Sequence, residues 1–552
     1  MSAAAPQLES QTSSVGQVVE RAAIEGMPLP NRAATVLIAL SPGATVINTG
    51  NGGENIPIFS VAGGRARNQN YTMDGGNSTN VVGLAVSQQQ NSVPMDAMQE
   101  FRVISNNYTA EYGHSTSGVI TLSTKSGTNE FHGSVFEYAR NDAFDARNFF
   151  AASKPRLRLH QFGGSLGGPI KHDKTHFFAS WESTRQTTGG TSIQTVPEAA
   201  MRSGDFSNVR DASGRVIPIY DPSTTVGNVR QIFPGNRIPA DRIDPVAKSM
   251  AAFWPNPNRS GLITGANNFS ANSRPVFNRN IVIGRVDHQF RPSDQLMVRY
   301  YINDNQTTND GLWGNPAPDP SSAITEGRSQ NILAAWTHII TPALLNDTRF
   351  AYLRRANIQA RPTSSDAVAS KLGLKGVSDA AFPIVSITGV AGLGGNPFRF
   401  QTPITDMQFQ ESVSWFHGAH ALKFGMEYRR GFNQDNTDTS SAGNFAFNPL
   451  ITGLPGVSNT GIAFASFLLG EANSASTVKP DIIASHAAYW AGYVQDDLRL
   501  SRFDIEILAL DVTQRAQRLS EGYRSAVRIV TDNQSDPAVL HCRPRPRRHS
   551  PW

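Results

Sequence analysis

Alternation of apolar and polar residues with a period of two is the dominant pattern of the chain, and it predicts β-strands with two unlike faces. In residues 421–429, one face consists of Leu422, Phe424, Met426 and Tyr428. Comparable segments lie at 131–140, 159–166, 175–182, 281–290, 296–302, 331–339, 345–353 and 407–415. Short turns join some neighbouring segments, while other connections are very long. The pattern therefore predicts antiparallel hairpins.

Residues 15–125 follow a different pattern. The run Asp74-Gly75-Gly76-Asn77 predicts a tight turn, because glycine and asparagine tolerate positive φ. Around it, helical periodicity at 16–25 and 33–40 is followed by short strands at 59–65, 70–73 and 118–124. This part of the chain is expected to form a compact α/β unit.

Strands of about ten residues, joined alternately by tight turns and long polar loops, are typical of outer-membrane barrels. The largest loop is a Pro-rich connection at about 196–280. A soluble all-β protein with one buried face shows the same alternation, so the pattern alone leaves both folds open. In a barrel, aromatic residues at the strand ends would form the interfacial girdles: Tyr138, Trp181, Tyr300, Trp336, Trp415 and Tyr489.

Composition and charge exclude several classes of protein. Of 552 residues, 39% are hydrophobic and 17% are charged, a balance that is too apolar for a disordered chain. The single cysteine excludes an internal disulfide framework and a multi-cysteine zinc site. The net charge of +5 is small, and much of it comes from Arg543, Arg545, Arg547 and Arg548. No nucleic-acid partner is expected from such a terminal tail.

Targeting signals predict a different location from the barrel pattern. No apolar run reaches the roughly 18 residues of a membrane-spanning helix. Residues 1–14 lack the basic and apolar regions of a signal peptide. Taken literally, these two features predict a cytoplasmic protein.

Ser165 lies in Gly163-Gly164-Ser165-Leu166-Gly167, which matches the Gly-x-Ser-x-Gly motif of hydrolases. That motif needs a strand, a sharp turn and then a helix. Gly168-Pro169 follows directly, and proline blocks a helix. The segment is better interpreted as a strand running into a turn. The alternative that the chain is a soluble β-rich enzyme is supported by this match alone.

The other candidate residues are interpreted as solvated loop or tail residues. His160, His172 and His176 lack a third ligand at metal-site spacing. Asp304 and Asp310 lack the spacing of a calcium-binding loop. Cys542, in the Arg-Pro-rich tail, has no evident role. The sequence therefore assigns no catalytic, cofactor-binding or metal-binding residue.

Two sets of short motifs point to a family. The N-terminal set comprises Pro28-Leu29-Pro30-Asn31-Arg32, Ser41-Pro42-Gly43, Gly63-Gly64-Arg65, Tyr71-Thr72-Met73-Asp74-Gly75, the run from Asp96 to Val103, Ala110-Glu111-Tyr112-Gly113 and the run from Lys125 to Gly133. The later set comprises Gly167-Gly168-Pro169-Ile170, Asn236-Arg237-Ile238-Pro239, Arg285-Val286-Asp287-His288, Phe467-Leu468-Leu469-Gly470 and Tyr493-Val494-Gln495-Asp496-Asp497. Over about residues 16–502 the chain resembles TonB-dependent outer-membrane transporters of the Oar-like group.

The resemblance implies a mainly β fold, with an N-terminal α/β plug domain followed by part of a transmembrane antiparallel β-barrel. It divides the chain into a polar lead-in at 1–14, a plug at 15–125, a partial barrel with long extracellular loops at 126–503 and an unmatched tail at 504–552. The implied location is the cell outer membrane.

The resemblance also implies a receptor that binds a scarce, bulky solute outside the cell and imports it with energy from the inner membrane. The implied partners are outer-membrane lipid, the inner-membrane TonB energy-coupling complex and an unknown extracellular solute. A surface-binding or adhesin-like barrel without transport is the alternative. No ligand-binding residue is assigned, and loops 186–280 and 303–328 are the places to search.

The chain departs from the family at both ends. A signal peptide, a preceding β-sandwich and a coupling segment are not recognisable before the plug. Only about ten or eleven candidate strands precede Arg502, against about 22 in a plugged barrel. Residues 504–538 are mixed and helix-like. Because lipid does not tolerate open strand edges, the expectation is an interrupted reading frame, with a mis-called start and a frame change near Phe503, whose product is an inactive fragment.

Overall fold

The computed structural model describes residues 15–20, 24, 32, 34–48, 58–65, 69–78, 93–113, 115–147, 154–361, 368–379, 381–395, 400–401, 403–438, 440–478, 481–500, 503–509, 514–520 and 526–530. The lead-in at 1–14 and the Arg-Pro-rich tail with Cys542 lie outside these ranges. Among the described residues, no helix is both long enough and apolar enough to cross a membrane.

Residues 15–124, here called the N-terminal unit, are built from short strands. The strands are β1 (Val15–Glu20), β2 (Ala44–Asn48), β3 (Ile58–Val61), β4 (Asn70–Met73), β5 (Gly76–Asn77), β6 (Met98–Asn106) and β7 (Val119–Thr124), with 3-10 helices at Ala34–Leu40 and Met95–Ala97. One sheet has the order β1-β6-β7-β4-β5, and β2 pairs with β3. The strands predicted near 59–65, 70–73 and 118–124 are confirmed.

The helix predicted at 16–25 is wrong over residues 16–20, which belong to the edge strand β1, antiparallel to β6. Gly16 lies so close to β6 that a Cβ there would be 2.6 Å from the carbonyl oxygen of Val103. The hydrogen bonds offered by the open edge of β6 outweigh the weak helical preference of this short segment.

From His132 onward, strands of very different lengths dominate the described residues. They are β8 (His132–Asn141), β9 (Leu157–Lys171), β10 (Thr175–Thr188), β11 (Gly190–Gln194), β12 (Tyr220–Val226), β13 (Val229–Ile232), β14 (Phe269–Ser273), β15 (Val276–Arg291), β16 (Asp294–Asn309), β17 (Ala323–Thr341), β18 (Leu344–Ala360), β19 (Ile384–Ile387), β20 (Val390–Leu393), β21 (Phe400–Gln401), β22 (Ile404–His417), β23 (His420–Thr437), β24 (Asn444–Phe447), β25 (Ser474–Ser476), β26 (Asp481–Leu500), β27 (Phe503–Ala509), β28 (Gln514–Ser520) and β29 (Ala526–Val530). Short helices α1 (Ala199–Arg202), α2 (Pro245–Ala251), α3 (Val368–Lys371) and α4 (Ala463–Leu468) lie in the connections.

One large antiparallel sheet runs in the order β8-β9-β10-β15-β16-β17-β18-β22-β23-β26, and β27 to β29 continue it beyond β26. Every alternating segment predicted from the sequence lies within one of these strands, apart from single residues at the ends. Apart from the two-residue β21, the strands from β9 to β26 in this sheet have 14 to 20 residues. They exceed the roughly 9–11 residues that cross a bilayer, so the strands continue beyond the segments that the alternation predicts.

Residues 504–538, expected to be helix-like, contain strands where the structure describes them. β27 pairs with residues 494–500 and β28 with residues 484–490, both along β26. The backbone edge of β26 offers unpaired donors and acceptors, and these direct the segment into strands.

The two faces of the large sheet differ. On β17, Asn331 and Leu333 are fully buried on the inner face, whereas Ile332 and Trp336 are about two-fifths exposed on the outer face. Trp181, Tyr300 and Trp415 also lie on the outer face with large exposed fractions, as the girdle prediction requires. The outer face is therefore apolar and aromatic, as lipid contact demands.

Two of the predicted girdle residues are on the wrong face. Tyr489 is buried on the inner face, with the Arg429 guanidinium 5.7 Å from its ring, and its neighbour Trp490 is the exposed one. Tyr138 pairs with the inner-facing Gln161. In a strand, an error of one residue moves a side chain to the opposite face.

We predict that Ile332→Arg destabilises the membrane-inserted protein by roughly 2–4 kcal/mol, because Ile332 lies between Tyr300 and Tyr352 on the apolar outer face. The matched control is Val226→Arg, since Val226 is 78% exposed at the tip of the β12–β13 hairpin. Urea unfolding in lipid vesicles measures both changes. Equal effects of the two substitutions would contradict the assignment of the outer face.

Candidate functional site

The candidate site is the interface between the N-terminal unit and the inner face of the large sheet. Strands spread across that sheet each send a side chain to the unit. These side chains are Ser134, Glu182, Arg285, Arg299, Asn331, Arg349, Gln408, Lys423 and Gln495. A flat sheet cannot contact one small unit from so many strands, so the large sheet curves around it.

Asp74, in the turn between β4 and β5, is the centre of the interface. Its carboxylate lies 3.5 Å from Nη1 of Arg285 and 3.3 Å from Nε of Arg299. It also accepts hydrogen bonds from the backbone N–H and the hydroxyl of Thr124, at 2.7 and 2.9 Å. Arg299 is fully buried. A buried guanidinium needs a paired acceptor, so Asp74 fixes the unit to β15 and β16.

Arg285 also pairs with a second carboxylate, that of Asp287. Its Nε and Nη2 each donate to Asp287, at 2.8 Å, and its Nη1 donates to the carbonyl oxygen of Thr124 at 2.8 Å. Together with Arg299 and Asp74, the cluster pairs two guanidinium groups with two carboxylates. The positive and negative charges of the cluster are therefore balanced. The Arg285 guanidinium binds Asp287 through Nε and Nη2, and it contacts the N-terminal unit through Nη1.

The glycine that follows Asp74 is required by close contact as well as by conformation. Gly75 has φ +80°, and a Cβ there would lie 2.5 Å from Nη1 of Arg349. A Cβ on Gly76 would lie 2.9 Å from Cδ1 of Leu333. The motif Tyr71-Thr72-Met73-Asp74-Gly75 thus allows the backbone of the unit to lie close to the inner face of the large sheet, here called the wall.

Arg32 forms a second cluster near β8 and β10. Its guanidinium pairs with Asp96 of the unit and lies 3.6 Å from Oε2 of Glu182. Its central carbon is 4.5 Å from the ring of Phe136 and 4.6 Å from the ring of Tyr138. The side chain therefore combines ion pairing with two cation–π contacts, which suit the planar guanidinium.

A third cluster joins the unit to the far side of the sheet. The carboxylate of Glu111 pairs with the ammonium of Lys423, and the backbone N–H of Ala110 donates to Oε1 of Gln495 at 3.0 Å. Burial, together with the neighbouring Glu111 carboxylate, raises the pKa of the Tyr112 hydroxyl. These residues form the motif Ala110-Glu111-Tyr112-Gly113, so a third sequence motif reaches the wall.

A hydrogen-bonded chain completes this side of the interface. The backbone N–H of Asn77 donates to Oε1 of Gln408 at 2.7 Å. Gln408 in turn donates to Glu427 at 2.5 Å, and Glu427 pairs with Arg429. On β18, β22, β23 and β26, the contacts described here with the N-terminal unit are polar, apart from that of Ala351, whose Cβ lies near Gly76. Polar contacts exchange with water without a large hydrophobic penalty.

The opposite side of the interface, on β10, β15 and β16, combines apolar contacts with the ion pairs of Asp74. The core of the N-terminal unit, with Leu37, Phe59, Val61 and Phe101, continues into wall residues that are also buried. These wall residues are Phe178, Ile281, Ile283 and Tyr301, from β10, β15 and β16. Burial of apolar surface adds to the ion pairs of Asp74 there, so the unit is held most firmly on this side.

Ser165 does not form a nucleophile elbow. It lies in the middle of β9, and its hydroxyl is 2.8 Å from the hydroxyl of Ser134 on β8. The strand continues through Pro169 to Lys171, so neither a sharp turn nor a helix follows. The geometry of the hydrolase motif is therefore absent at this position.

The structure does not bring the candidate histidines and aspartates together. His160 lies 3.2 Å from Glu137, and His176 lies 2.9 Å from Asn129. Asp304 pairs with Arg328 at 2.8 Å on the surface. Among the described residues, no group of three carboxylate, histidine or cysteine side chains could hold a metal ion.

The interface residues were visible in the sequence motifs, but no role was assigned to them. Asp74, Glu111 and Arg32 each stand in a quoted motif, as does Arg285. Arg299 stood in no motif, and its only signal was a charge in an otherwise apolar strand, residues 296–302. A charged residue in such a strand indicates a lumen-facing position that needs a partner.

Comparison with known proteins places this architecture. Residues 123–503 match the domain family described as "Outer membrane beta barrel domain". The TonB-dependent transporter Oar of Myxococcus xanthus is 35% identical over 153 residues, which are 26% of this chain and 13% of that protein. The chain therefore spans a small part of this relative's length.

Solved structures share the fold at low sequence identity. The ferripyoverdine receptor of the outer membrane of Pseudomonas aeruginosa has a TM-score of 0.52 at 11% identity, over 94% of this chain and 53% of that chain. The outer membrane transporter YddB from Escherichia coli has a TM-score of 0.51 at 10% identity, over 91% of this chain and 60% of that chain. The siderophore receptor PirA from Acinetobacter baumannii gives 0.50 at 13% identity, over 93% and 59%. The chain thus spans just over half of these structures.

We predict that Arg299→Ala lowers the free energy of local opening of the N-terminal unit by about 3 kcal/mol. The substitution removes one of the two guanidinium groups that pair with the buried Asp74 carboxylate. Hydrogen exchange of residues 70–78 and 119–124 measures this. The matched control is Arg328→Ala, which removes an exposed ion pair and is expected to cost less than about 1 kcal/mol. Similar losses for both variants would contradict a central role for Arg299.

We predict that Arg32→Lys weakens the attachment of the unit to β8 by about 1–2 kcal/mol. Lysine keeps the charge but loses the planar contact with Phe136 and Tyr138. Pulse proteolysis of the N-terminal unit measures the change. Arg140→Lys, at an exposed pair with Asp145, is the control and should leave the cleavage rate unchanged.

Proposed function

We propose, because the chain belongs to the outer membrane beta barrel domain family, that it acts as a receptor and transporter of the TonB-dependent type. It lies in the cell outer membrane and is similar to proteins named as transporters and receptors, which are not enzymes. In this proposal it binds a scarce, bulky solute outside the cell and imports it through the barrel with energy from the inner membrane.

The observation that carries the proposal is the attachment of the N-terminal unit to the inner face of the sheet. A lumen wide enough for a bulky solute leaks unless it is filled. Ion pairs and hydrogen bonds, such as those of Glu111, Ala110 and Asn77, hold one side of the filling unit and can exchange with water when it moves. An interface with one polar side suits a removable plug better than an entirely apolar core does.

The proposal assigns residues 15–125 to the plug and residues 126–503 to the barrel. The lead-in at 1–14 stays a separate segment, and the unmatched tail at 504–552 begins with strands that continue the large sheet beyond β26. The partners are outer-membrane lipid at the apolar outer face, the inner-membrane TonB complex acting on the plug, and an extracellular solute. Nucleic acid is not among the proposed partners.

The test is uptake by cells that carry the full chain in the outer membrane. The first probe is iron-55-labelled ferripyoverdine, the solute named for the Pseudomonas receptor. We expect accumulation inside the cell, and we expect a protonophore to abolish it, because the energy for plug movement comes from the inner membrane. Binding at the surface without protonophore-sensitive accumulation would favour the surface-binding alternative, and neither binding nor accumulation would favour the inactive fragment expected from the open strand edges.

A second measurement tests the plug without any solute. Liposome swelling in raffinose reports whether the reconstituted protein leaks. The unaltered chain is expected to be closed, and Arg299→Ala is expected to leak, because the plug loses a buried partner. Arg328→Ala is the control and should stay closed. Equal, high leakage from all three proteins would count against a plugged barrel.

A further inference from the structure

Three long connections lie at one end of the large sheet. Connection 1 (residues 189–275) joins β10 to β15, connection 2 (361–403) joins β18 to β22, and connection 3 (438–480) joins β23 to β26. In an antiparallel sheet, alternate connections emerge at the same end. The tight turns, for example those between β15 and β16 and between β22 and β23, lie at the other end.

The three connections share one apolar core, separate from that of the N-terminal unit. Its buried residues come from connection 1 (Val196, Phe206, Ile219, Phe233, Ile238, Ala247, Met250, Ala251, Trp254 and Phe269), from connection 2 (Phe382, Val385, Ile387 and Leu393) and from connection 3 (Phe447, Ala463, Phe464, Ala465, Phe467 and Leu468). Trp313, on the shorter connection between β16 and β17, packs against it. Long loops are usually solvated and independent, so a shared core is unusual for them.

Backbone pairing joins connection 2 to connection 3. β19 pairs in parallel with β24, with Ile384 opposite Asn444 and Ile387 opposite Phe447. β20 and β25 extend this into a four-stranded sheet of order β20-β19-β24-β25. Neither connection can leave without breaking the ladder between them.

Trp254 links connection 1 to both of the others. Its indole N–H donates to the carbonyl oxygen of Ala391 at 2.6 Å. Its ring packs edge-on against Phe464 at 5.7 Å and Phe467 at 5.5 Å. The side chain is 2% exposed. One residue thus contacts all three connections through directional bonding and through packing.

Polar contacts support the same arrangement. Arg230 of connection 1 donates to the carbonyl oxygens of Ile451 at 2.6 Å and Gly453 at 2.7 Å in connection 3. The backbone N–H of Asp244 donates to the carbonyl oxygen of Leu468 at 2.8 Å. The motif Phe467-Leu468-Leu469-Gly470 is therefore part of this contact and not of the barrel wall.

The motif Asn236-Arg237-Ile238-Pro239 stabilises the fold of connection 1 itself. The amide nitrogen of Asn236 donates to the carbonyl oxygens of Phe206 and Ile217, at 2.8 and 2.9 Å. The Arg237 guanidinium pairs with Asp205 at 2.9 Å, and Ile238 is buried in the shared core. Two motifs more than 200 residues apart in sequence thus build one structure.

We propose that the three connections form one preassembled cap on the extracellular end of the barrel, and that it meets the solute as a single rigid body. Trp254 is its positioning residue. The extracellular placement rests on the proposed function. Separate movement of any one connection would expose the apolar core to water, so the cap moves as a whole or not at all.

The first test is hydrogen exchange on the full chain in detergent micelles. Trp254→Ala should accelerate exchange on the order of a hundredfold or more in residues 204–255, 381–393 and 444–468 together. Trp254→Phe keeps an aromatic ring, although a smaller one, and loses the hydrogen bond of the indole N–H, so a smaller acceleration of about tenfold is expected. Trp490→Ala, on the exposed outer face, is the control and should leave all three segments unchanged.

Acceleration confined to residues 204–255 would overturn the proposal, because it would mean that the three connections open independently. The same holds if the unaltered chain exchanges the three segments at unrelated rates.

A second variant covers the case in which Trp254→Ala does not fold. Ser386 and Ala446 are opposite each other on β19 and β24 and are partly exposed. In a Cys542→Ser background, Ser386→Cys with Ala446→Cys forms a disulfide between connections 2 and 3. Oxidation should slow exchange on the order of tenfold in connection 1 as well. Slowing only in the two bridged connections would contradict a single cap.

These outcomes are independent of transport. If uptake fails while the three segments exchange as one unit, the proposed function is at fault and only the single rigid body of the three connections stands. If uptake succeeds while the segments exchange separately, the cap is wrong and the transporter stands.

Discussion

The buried guanidinium of Arg299 is the constraint on which the arrangement of the two sheets depends. Its charge lies on the inner face of the large sheet, away from water, and a buried charge is costly unless it is paired. Asp74 supplies the pairing from the N-terminal unit, and Arg285 with Asp287 balances the rest. The wall and the unit therefore complete each other, and neither has its charges compensated alone.

The interface has two unlike sides, which suggests how it could open. On β10, β15 and β16, apolar side chains add to the ion pairs of Asp74. On β22, β23 and β26, the contacts of Glu111, Ala110 and Asn77 are polar. Polar contacts can be replaced by water at small net cost, whereas apolar ones cannot. Movement of the unit would begin on the polar side.

The two ends of the large sheet differ in the same physical terms. At one end the strands are joined by tight turns, and at the other the long connections bury an apolar core of their own. Between them, the apolar outer face presents Trp181, Trp336 and Trp415 to lipid. The protein thus has three separate apolar environments: the core of the N-terminal unit, the lipid-facing band and the core shared by the connections.

Alternation along the chain predicts the strands of the large sheet from β8 to β23 but not β26, because a period of two is a local property that needs no knowledge of partners. The sequence also placed Asp74 in a turn and most girdle residues outside. It failed for residues 16–20 and for β27 and β28, whose strands depend on an open edge elsewhere, and for Tyr138 and Tyr489, where one residue of parity decides the face. The contacts of Asp74 with Arg299, and of Trp254 with Ala391 and Phe467, are visible only in the folded protein. Those partners are separated by more than 100 residues, and no local pattern encodes which distant strand or loop will supply the other half of a contact.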